Sequence, residues 1–212
     1  MAKMTNGING TFTGKVGNII GCKWRGINYV RCLPRKNHRK SSPAQLKQQA
    51  RFSLMVSFLN KFKSLLSFSF SSYALRMTGN NEALSYNLQN GIKGEYPNFE
   101  LDYSEILLSR GKLSSAQNAM AKAGEAGAVD FSWENVESKS PADGSDYAML
   151  IIYNPSTQTS SQALQGSVRQ SGMASISIDA NRGCAVETWL AFQSYNNKYF
   201  SNSIYTGRVI TT

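Results

Sequence analysis

The sequence predicts an α+β protein that is mainly β: a basic module of β-hairpin and helices over residues 1–110, then an antiparallel β-sandwich over residues 111–212. Three observations carry this reading. Residues 10–33 mix β-branched and aromatic residues with a glycine every three to five positions, residues 44–66 repeat apolar side chains at spacings of three and four, and beyond Tyr96-Pro97 short runs alternate apolar with polar between turn-formers. These are the periods of a twisted hairpin, a helix buried on one side and a stack of antiparallel strands.

The hairpin strands are expected over residues 18–24 and 27–33, with Gly14 and Gly17 permitting a turn or bulge before them. The three cysteines, Cys22, Cys32 and Cys184, cannot all pair and have no Cys-x-x-Cys spacing, so they are expected to be free, buried thiols. A Cys22–Cys32 disulfide stays open as the alternative, because a turn centred on Ile27 would set those two opposite each other. Residues 34–42 hold Arg35, Lys36, Arg39, Lys40 and the single histidine, His38, with little that is apolar, and form an exposed connector. Ser42-Pro43-Ala44-Gln45 then starts a helix, with serine as cap, proline at the first helical position and glutamine completing a capping box. Its buried stripe runs through Met55, Phe58, Leu59, Phe62, Leu65 and Leu66 and is clean only from Leu54 onward. A second helix is expected over residues 81–92, ahead of Gly91 and Gly94. Up to seven strands follow, over residues 99–103, 106–109, 128–133, 147–153, 173–178, 186–194 and 202–211, with Trp133 and Trp189 as inward anchors.

Charge is distributed unevenly. Residues 1–81 carry fourteen Lys and Arg and no Asp or Glu, whereas residues 82–212 carry nine basic and thirteen acidic residues, a net −4 against the whole-chain +10. A chain polarised in this way has one end that repels itself and seeks an anionic counterpart. The candidate contacts are Lys23, Arg25, Arg31, Arg35, Lys36, Arg39, Lys40, Lys47 and Arg51, interleaved with Trp24 and Tyr29. Basic residues beside aromatics suit a partner's acidic surface or the phosphates and bases of nucleic acid.

Catalytic constellations fail one by one. Gly10-Thr-Phe-Thr-Gly14-Lys15 is one residue short of a phosphate loop, and Val16 stands where Ser or Thr must hold magnesium. One histidine removes most triads and every two-histidine metal site. The carboxylate pairs Asp102 and Glu105, Glu134 and Glu137, and Asp143 and Asp146 fall at turns or strand ends and read as ordinary solvated residues, and Asp143-Gly-Ser-Asp146 has too few oxygen ligands for calcium. No enzyme, cofactor or metal is expected. The most apolar stretch, residues 52–70, is broken by Asn60, Lys61, Lys63 and serines, so no membrane span is expected, and the first residues lack the apolar core of a secretory signal. A cytoplasmic or particle-associated location is the corresponding expectation.

Gly14-Lys-Val-Gly-Asn, Lys23-Trp-Arg-Gly-Ile-Asn-Tyr-Val-Arg31, Ser42-Pro-Ala-Gln-Leu-Lys-Gln-Gln-Ala-Arg51-Phe52, Ala83-Leu-Ser-Tyr-Asn-Leu88, Tyr96-Pro97, Phe131-Ser-Trp133, Tyr153-Asn154-Pro155, Trp189 and Ser201-Asn-Ser-Ile-Tyr205 together resemble an uncharacterised domain-of-unknown-function family common in Bacteroidota. That resemblance spans nearly the whole chain and brings no assigned activity. Trp133 on an early strand and Tyr205 near the end also make the C-terminal half similar to immunoglobulin-like and fibronectin type III-like sandwiches, which mostly bind or build. The glycine-rich hairpin, Arg-rich connector and Pro-Ala-Gln helix are similar to segments of phage-derived structural proteins. The expectation is a non-enzymatic structural protein that forms a homo-oligomer or joins a phage-like particle or filament through its basic module, with nucleic-acid binding by the same region as the alternative.

Overall fold

The structure is a computed structural model that describes residues 2–4, 6–7, 10–34, 40–74, 77–134, 144–177 and 183–211. It divides into two compact units, Met1–Ser42 and Pro43–Thr212.

The first unit is an antiparallel sheet in the order β1 (Lys3–Met4), β2 (Phe12–Val16), β3 (Ile19–Trp24), β4 (Ile27–Cys32). Arg25 and Gly26, at φ 46° and 86°, make the two-residue turn between β3 and β4, the left-handed pair whose twist matches its flanking strands. The turn therefore lies ahead of Ile27, and the register sets Cys22 opposite Tyr29 and Cys32 opposite Ile19. Cys22 and Cys32 consequently point to opposite faces of the sheet, so the disulfide alternative fails. All three cysteines are free, as expected, but none is buried: Cys32 is exposed, Cys22 and Cys184 partly so. Gly21 is needed where it stands, since a Cβ there would collide with the carbonyl and ring of Phe12. Among the described residues of this unit, Gly21 alone is buried.

In the second unit the long helix arrives in two pieces, α1 (Pro43–Leu59) and α2 (Lys63–Ser69), separated by a 3-10 turn over Asn60–Phe62. The expected stripe is buried through Met55, Phe58, Leu59, Phe62, Leu65 and Leu66, while Leu46 and Phe52 earlier on the helix stay exposed. Helix α3 (Gly79–Asn90) starts at Thr78, whose hydroxyl accepts from the Asn81 amide at 3.2 Å. A hairpin of β5 (Ile92–Glu95) and β6 (Asn98–Leu101) follows.

The remaining strands build two sheets, β7 (Gln117–Ala123) with β8 (Ala128–Glu134) and β11 (Met173–Ser177) in the order β11-β8-β7, and β9 (Tyr147–Asn154) with β10 (Thr159–Ala163), β12 (Ala185–Gln193) and β13 (Ile204–Ile210) in the order β10-β9-β12-β13. First, second and fifth strands in one sheet and third, fourth, sixth and seventh in the other is the arrangement of a fibronectin type III-like sandwich. Up to seven strands were expected, and the membership differs at two places. Residues 99–103 contribute to the separate β5–β6 hairpin, and residues 106–109 are a buried connector pinned by Leu108 N–H to Ser203 Oγ at 2.9 Å and Ser109 Oγ to the Ser201 carbonyl at 2.8 Å. Their places in the sandwich are taken by β7 and β10.

Two cores share one sheet. Successive side chains on a strand point to opposite faces. Ala148, Leu150, Ile152, Val186, Leu190 and Phe192 meet Val129, Phe131 and Trp133 inside the sandwich. Met149, Ile151, Tyr153, Trp189 and Ala191 meet Met55, Phe58, Phe62 and Leu66 of the helices. Trp133 and Trp189 are thus anchors of different cores, Trp189 being wholly buried under the helical layer. The sheet's helix-side face also explains why the chain does not divide near residue 110: cutting there would strip cover from β9 and β12. Among the described residues, no helix is long and apolar enough to cross a membrane.

Phe62→Ala and Phe131→Ala, one in each core, should each lower stability by about 3–5 kcal/mol, and both should shift one shared unfolding transition in a denaturant titration followed by fluorescence and circular dichroism. Separate transitions for helices and sandwich would contradict the shared sheet.

Candidate functional site

The basic residues singled out by sequence fall on several different surfaces. Lys23, Arg25, Arg31 and Lys40 belong to the first unit and are exposed. The β3–β4 register places Trp24, Ile27, Tyr29 and Arg31 on one face, with Cys22, and places Lys23 on the other, with Ile19 and Val30. Arg25 lies in the turn between the strands. Lys47 is exposed on α1, but Arg51 is turned inward: its Nη2 donates to the Leu88 carbonyl at 2.9 Å, satisfying an acceptor in the last turn of α3. Arg51 is therefore a brace between two helices and does not join the basic surface. Arg35, Lys36, Arg39 and His38 lie outside the described residues.

The division at residue 42 also changes the charge picture. The first unit holds nine Lys and Arg and no acid, while residues 43–212 hold fourteen basic and thirteen acidic residues, a net +1. The acidic excess seen from residue 82 onward is thus local to that stretch, and the second unit as a whole is close to neutral.

Of the expected carboxylate pairs, Asp143 and Glu137 lie outside the described residues. Asp146, expected to be solvated, is 1% exposed and faces Arg169, whose Nε stands 3.4 Å from its Oδ2. Arg169 Nη2 donates to the Ser114 carbonyl at 2.7 Å, its guanidinium lies 3.6 Å from the Phe192 ring centre, and its own carbonyl accepts from Trp133 Nε1 at 2.8 Å. This arrangement locks the sandwich core rather than presenting a reactive group.

A constellation of polar side chains converging on open space was not expected from the sequence. A cleft of about 690 Å³ opens at the end of the β9–β12–β13 sheet, beside Leu54 of α1. Its floor is the row Tyr153–Glu187–Arg208, three residues paired across three strands. Beside it stands Tyr205, opposite Trp189. Tyr205 and Arg208 are three residues apart and would ordinarily point to opposite faces. A bulge between Thr188 and Trp189, with Gly207 at φ 106°, puts an extra residue into β13 and turns both toward Glu187. Glu187 is 2% exposed; its Oε2 accepts from the Tyr205 hydroxyl at 2.5 Å and its Oε1 from Arg208 Nε at 2.9 Å. Asp102, Tyr103 and Ser104, following β6, form one wall with Lys93 and Glu100 of the hairpin, and Pro155 and Gln158 form the rim. Among the described residues, no cluster of three or more metal-ligating side chains occurs.

Compared with known proteins, the chain matches the family described as "Family of unknown function (DUF6266)" over residues 11–207. The chain belongs to that family. No curated protein matches it significantly. Among solved structures it is similar to the fn3 domain of the human collagen alpha-1(XX) chain, at 12% identity and a TM-score of 0.34, over 47% of this chain and 88% of that one.

In this family member the cleft tyrosines have shifted acidities. Burial, reinforced by the neighbouring Tyr153 and by the Glu187 carboxylate, pushes the Tyr103 hydroxyl up to about 12 against an opposing pull from Arg208. Burial also raises Tyr153, and burial together with the bond to Glu187 raises Tyr205. In each case the fold favours the protonated phenol, so the stabilisation is complete below the ordinary value of 10.0 and disappears as pH rises through the folded-state value. Thermal unfolding should accordingly move to lower temperature between pH 10 and about 12, and Tyr103→Phe should shrink that loss. An ultraviolet titration in which every tyrosine ionises near pH 10 would contradict the buried network.

Proposed function

We propose that this is a non-enzymatic assembly subunit whose first unit joins copies of the chain into a filament or phage-like particle. The observation that carries the reading is the bare sheet of residues 1–42. Met4, Val16, Ile19, Trp24, Ile27, Tyr29 and Val30 are between 38% and 58% exposed, and they occupy both faces of the sheet. A solvated sheet keeps at least one face polar, and a unit of about 40 residues without a core rarely persists uncovered. A second copy is the occupant that fits. The sheet offers a self-complementary apolar face along Trp24, Ile27 and Tyr29, and a second contact at β4, an edge strand with all six residues exposed and, among the described residues, no further strand beside it. Two different two-fold contacts on one subunit propagate an open chain of copies.

The charge distribution specifies how salt should act. With nine positive charges and no negative ones in the first unit, and a second unit near neutrality, apolar burial drives the contact and like charge opposes it. Light scattering of the purified chain should therefore show association that strengthens as salt screens the repulsion. Ile27→Ser with Tyr29→Ser should weaken it at least about a hundredfold, since burying two such side chains contributes about 3–6 kcal/mol, and should leave the unfolding of residues 43–212 unchanged. A monomer at every salt and protein concentration would overturn the reading, and association that falls with salt would point instead to an acidic surface as the counterpart.

Trp24 and Tyr29 beside Arg31 on one face also support a second reading, a platform on which bases of single-stranded nucleic acid stack. That reading expects filter-binding affinity to fall several-fold from low to moderate salt and Trp24→Ala to reduce it at every salt concentration. Its apolar opposite face, with Val16, Ile19 and Val30, has no role in such binding, which is why assembly is preferred.

A further inference from the structure

We infer that the cleft at the end of the β9–β12–β13 sheet is a binding site for a neutral oligosaccharide. The inference rests on the second unit alone and stands apart from the assembly reading. Its volume of about 690 Å³ lies within the roughly 300–1,000 Å³ of small-molecule sites. The lining holds donors and acceptors side by side, with Lys93 and Arg208 as donors, Glu100, Asp102 and Glu187 as acceptors, and Tyr103, Tyr153, Tyr205, Ser104 and Gln158 supplying groups that serve as either or both.

Charge decides which class of ligand uses that set. An anionic ligand would meet three carboxylates, and a cationic one would meet Lys93 and Arg208, so each would leave part of the lining repelled and desolvated. A sugar hydroxyl both donates and accepts, and so engages both kinds of group without a net charge of its own. The tyrosine rings provide the apolar surface against which the carbon–hydrogen face of a sugar lies. Glu187 is already held by Tyr205 and Arg208, so the floor is fixed before any ligand arrives. Tyr103 and Tyr153 line the same space, and their hydroxyls have no hydrogen-bond partner among the described residues. They are the two groups that a ligand would satisfy.

Trp189 reports on the site, its ring centre being 6.0 Å from Tyr103 and 5.5 Å from Tyr205. The test is tryptophan fluorescence of the full chain titrated with maltohexaose, cellohexaose, xylohexaose and mannohexaose, with hexagalacturonate and choline as charged comparisons. The expected result is a saturable change with at least one neutral oligosaccharide at millimolar concentration or below, weakened at least tenfold by Asp102→Asn and by Gln158→Ala, two wall and rim substitutions that leave the core untouched. Melting temperatures equal to the parent's would keep a loss of binding distinct from a loss of folding. No response to any neutral oligosaccharide, saturation only by hexagalacturonate or choline, or binding that both variants retain would overturn the inference.

Discussion

The constraint on which the structure depends is the double burial of β9 and β12. From Ala148 to Asn154, and from Val186 to Gln193, every residue of these two central strands is buried. A strand with no solvent face needs a layer on each side, because alternate side chains leave the sheet in opposite directions. The three-stranded sheet supplies one layer and the helices α1, α2 and α3 the other. This single requirement fixes where the helices lie, why they belong with the sandwich, and why the second unit begins at Pro43 instead of after the helical segment. The aromatic contacts follow from it as well: Phe58 meets Tyr153 edge-on at 5.0 Å and Trp189 at 6.4 Å, joining helix to sheet, and of these rings Tyr153 also borders the cleft.

The first unit shows the reverse situation. Its strands are as regular as those of the sandwich, and its turns carry the left-handed residues that tight hairpins need, yet among its described residues it buries no side chain. Local geometry is satisfied while burial is not. Hydrophobic burial is the dominant favourable contribution to folding, and among the described residues this sheet has little of it, the contribution that the proposed assembly would supply. In the proposed assembly its positive charge would act against a copy of itself and be weakened by salt over a Debye length of about 8 Å at physiological ionic strength, leaving apolar contact as the stronger influence.

How much of this was legible in the sequence depended on whether a signal was local. The helix stripe from Leu54 to Leu66 and the hairpin of β3 and β4 came through because their periods lie within a few turns or a few residues. Tyr147 to Tyr153 reads as a strand, and its continuous apolar run also announces burial on both faces, a signal stronger than alternation. Strands β7, Gln-Asn-Ala-Met-Ala-Lys-Ala, and β10, Thr-Ser-Ser-Gln-Ala, were missed because both are edge strands, half-exposed and polar, with little apolar area to mark them. The cysteine register failed by the placement of one turn, since Arg25-Gly26 carries a two-residue reversal that Ile27 cannot. Arg51 looked like part of a basic run because its partner, the Leu88 carbonyl, lies thirty-seven residues away.

The cleft was the least legible feature for the same reason carried further. Tyr153, Glu187 and Arg208 come from three strands, and a bulge at Gly207 reverses the parity that would have set Tyr205 and Arg208 on opposite faces. Polar residues at the end of an otherwise apolar sheet have an ordinary structural explanation: the sheet borders an open cleft there, and a half-covered surface admits side chains that reach water. That explanation accounts for Glu187, Tyr205 and Arg208, which satisfy one another. It extends to Tyr103 and Tyr153, half-buried and buried, which line the same cleft and whose hydroxyls are not among the buried side-chain atoms left without a partner, so they too reach water there. Their burial raises the acidity constants of both phenols, so at neutral pH they stand in the cleft as neutral hydroxyls able both to donate and to accept.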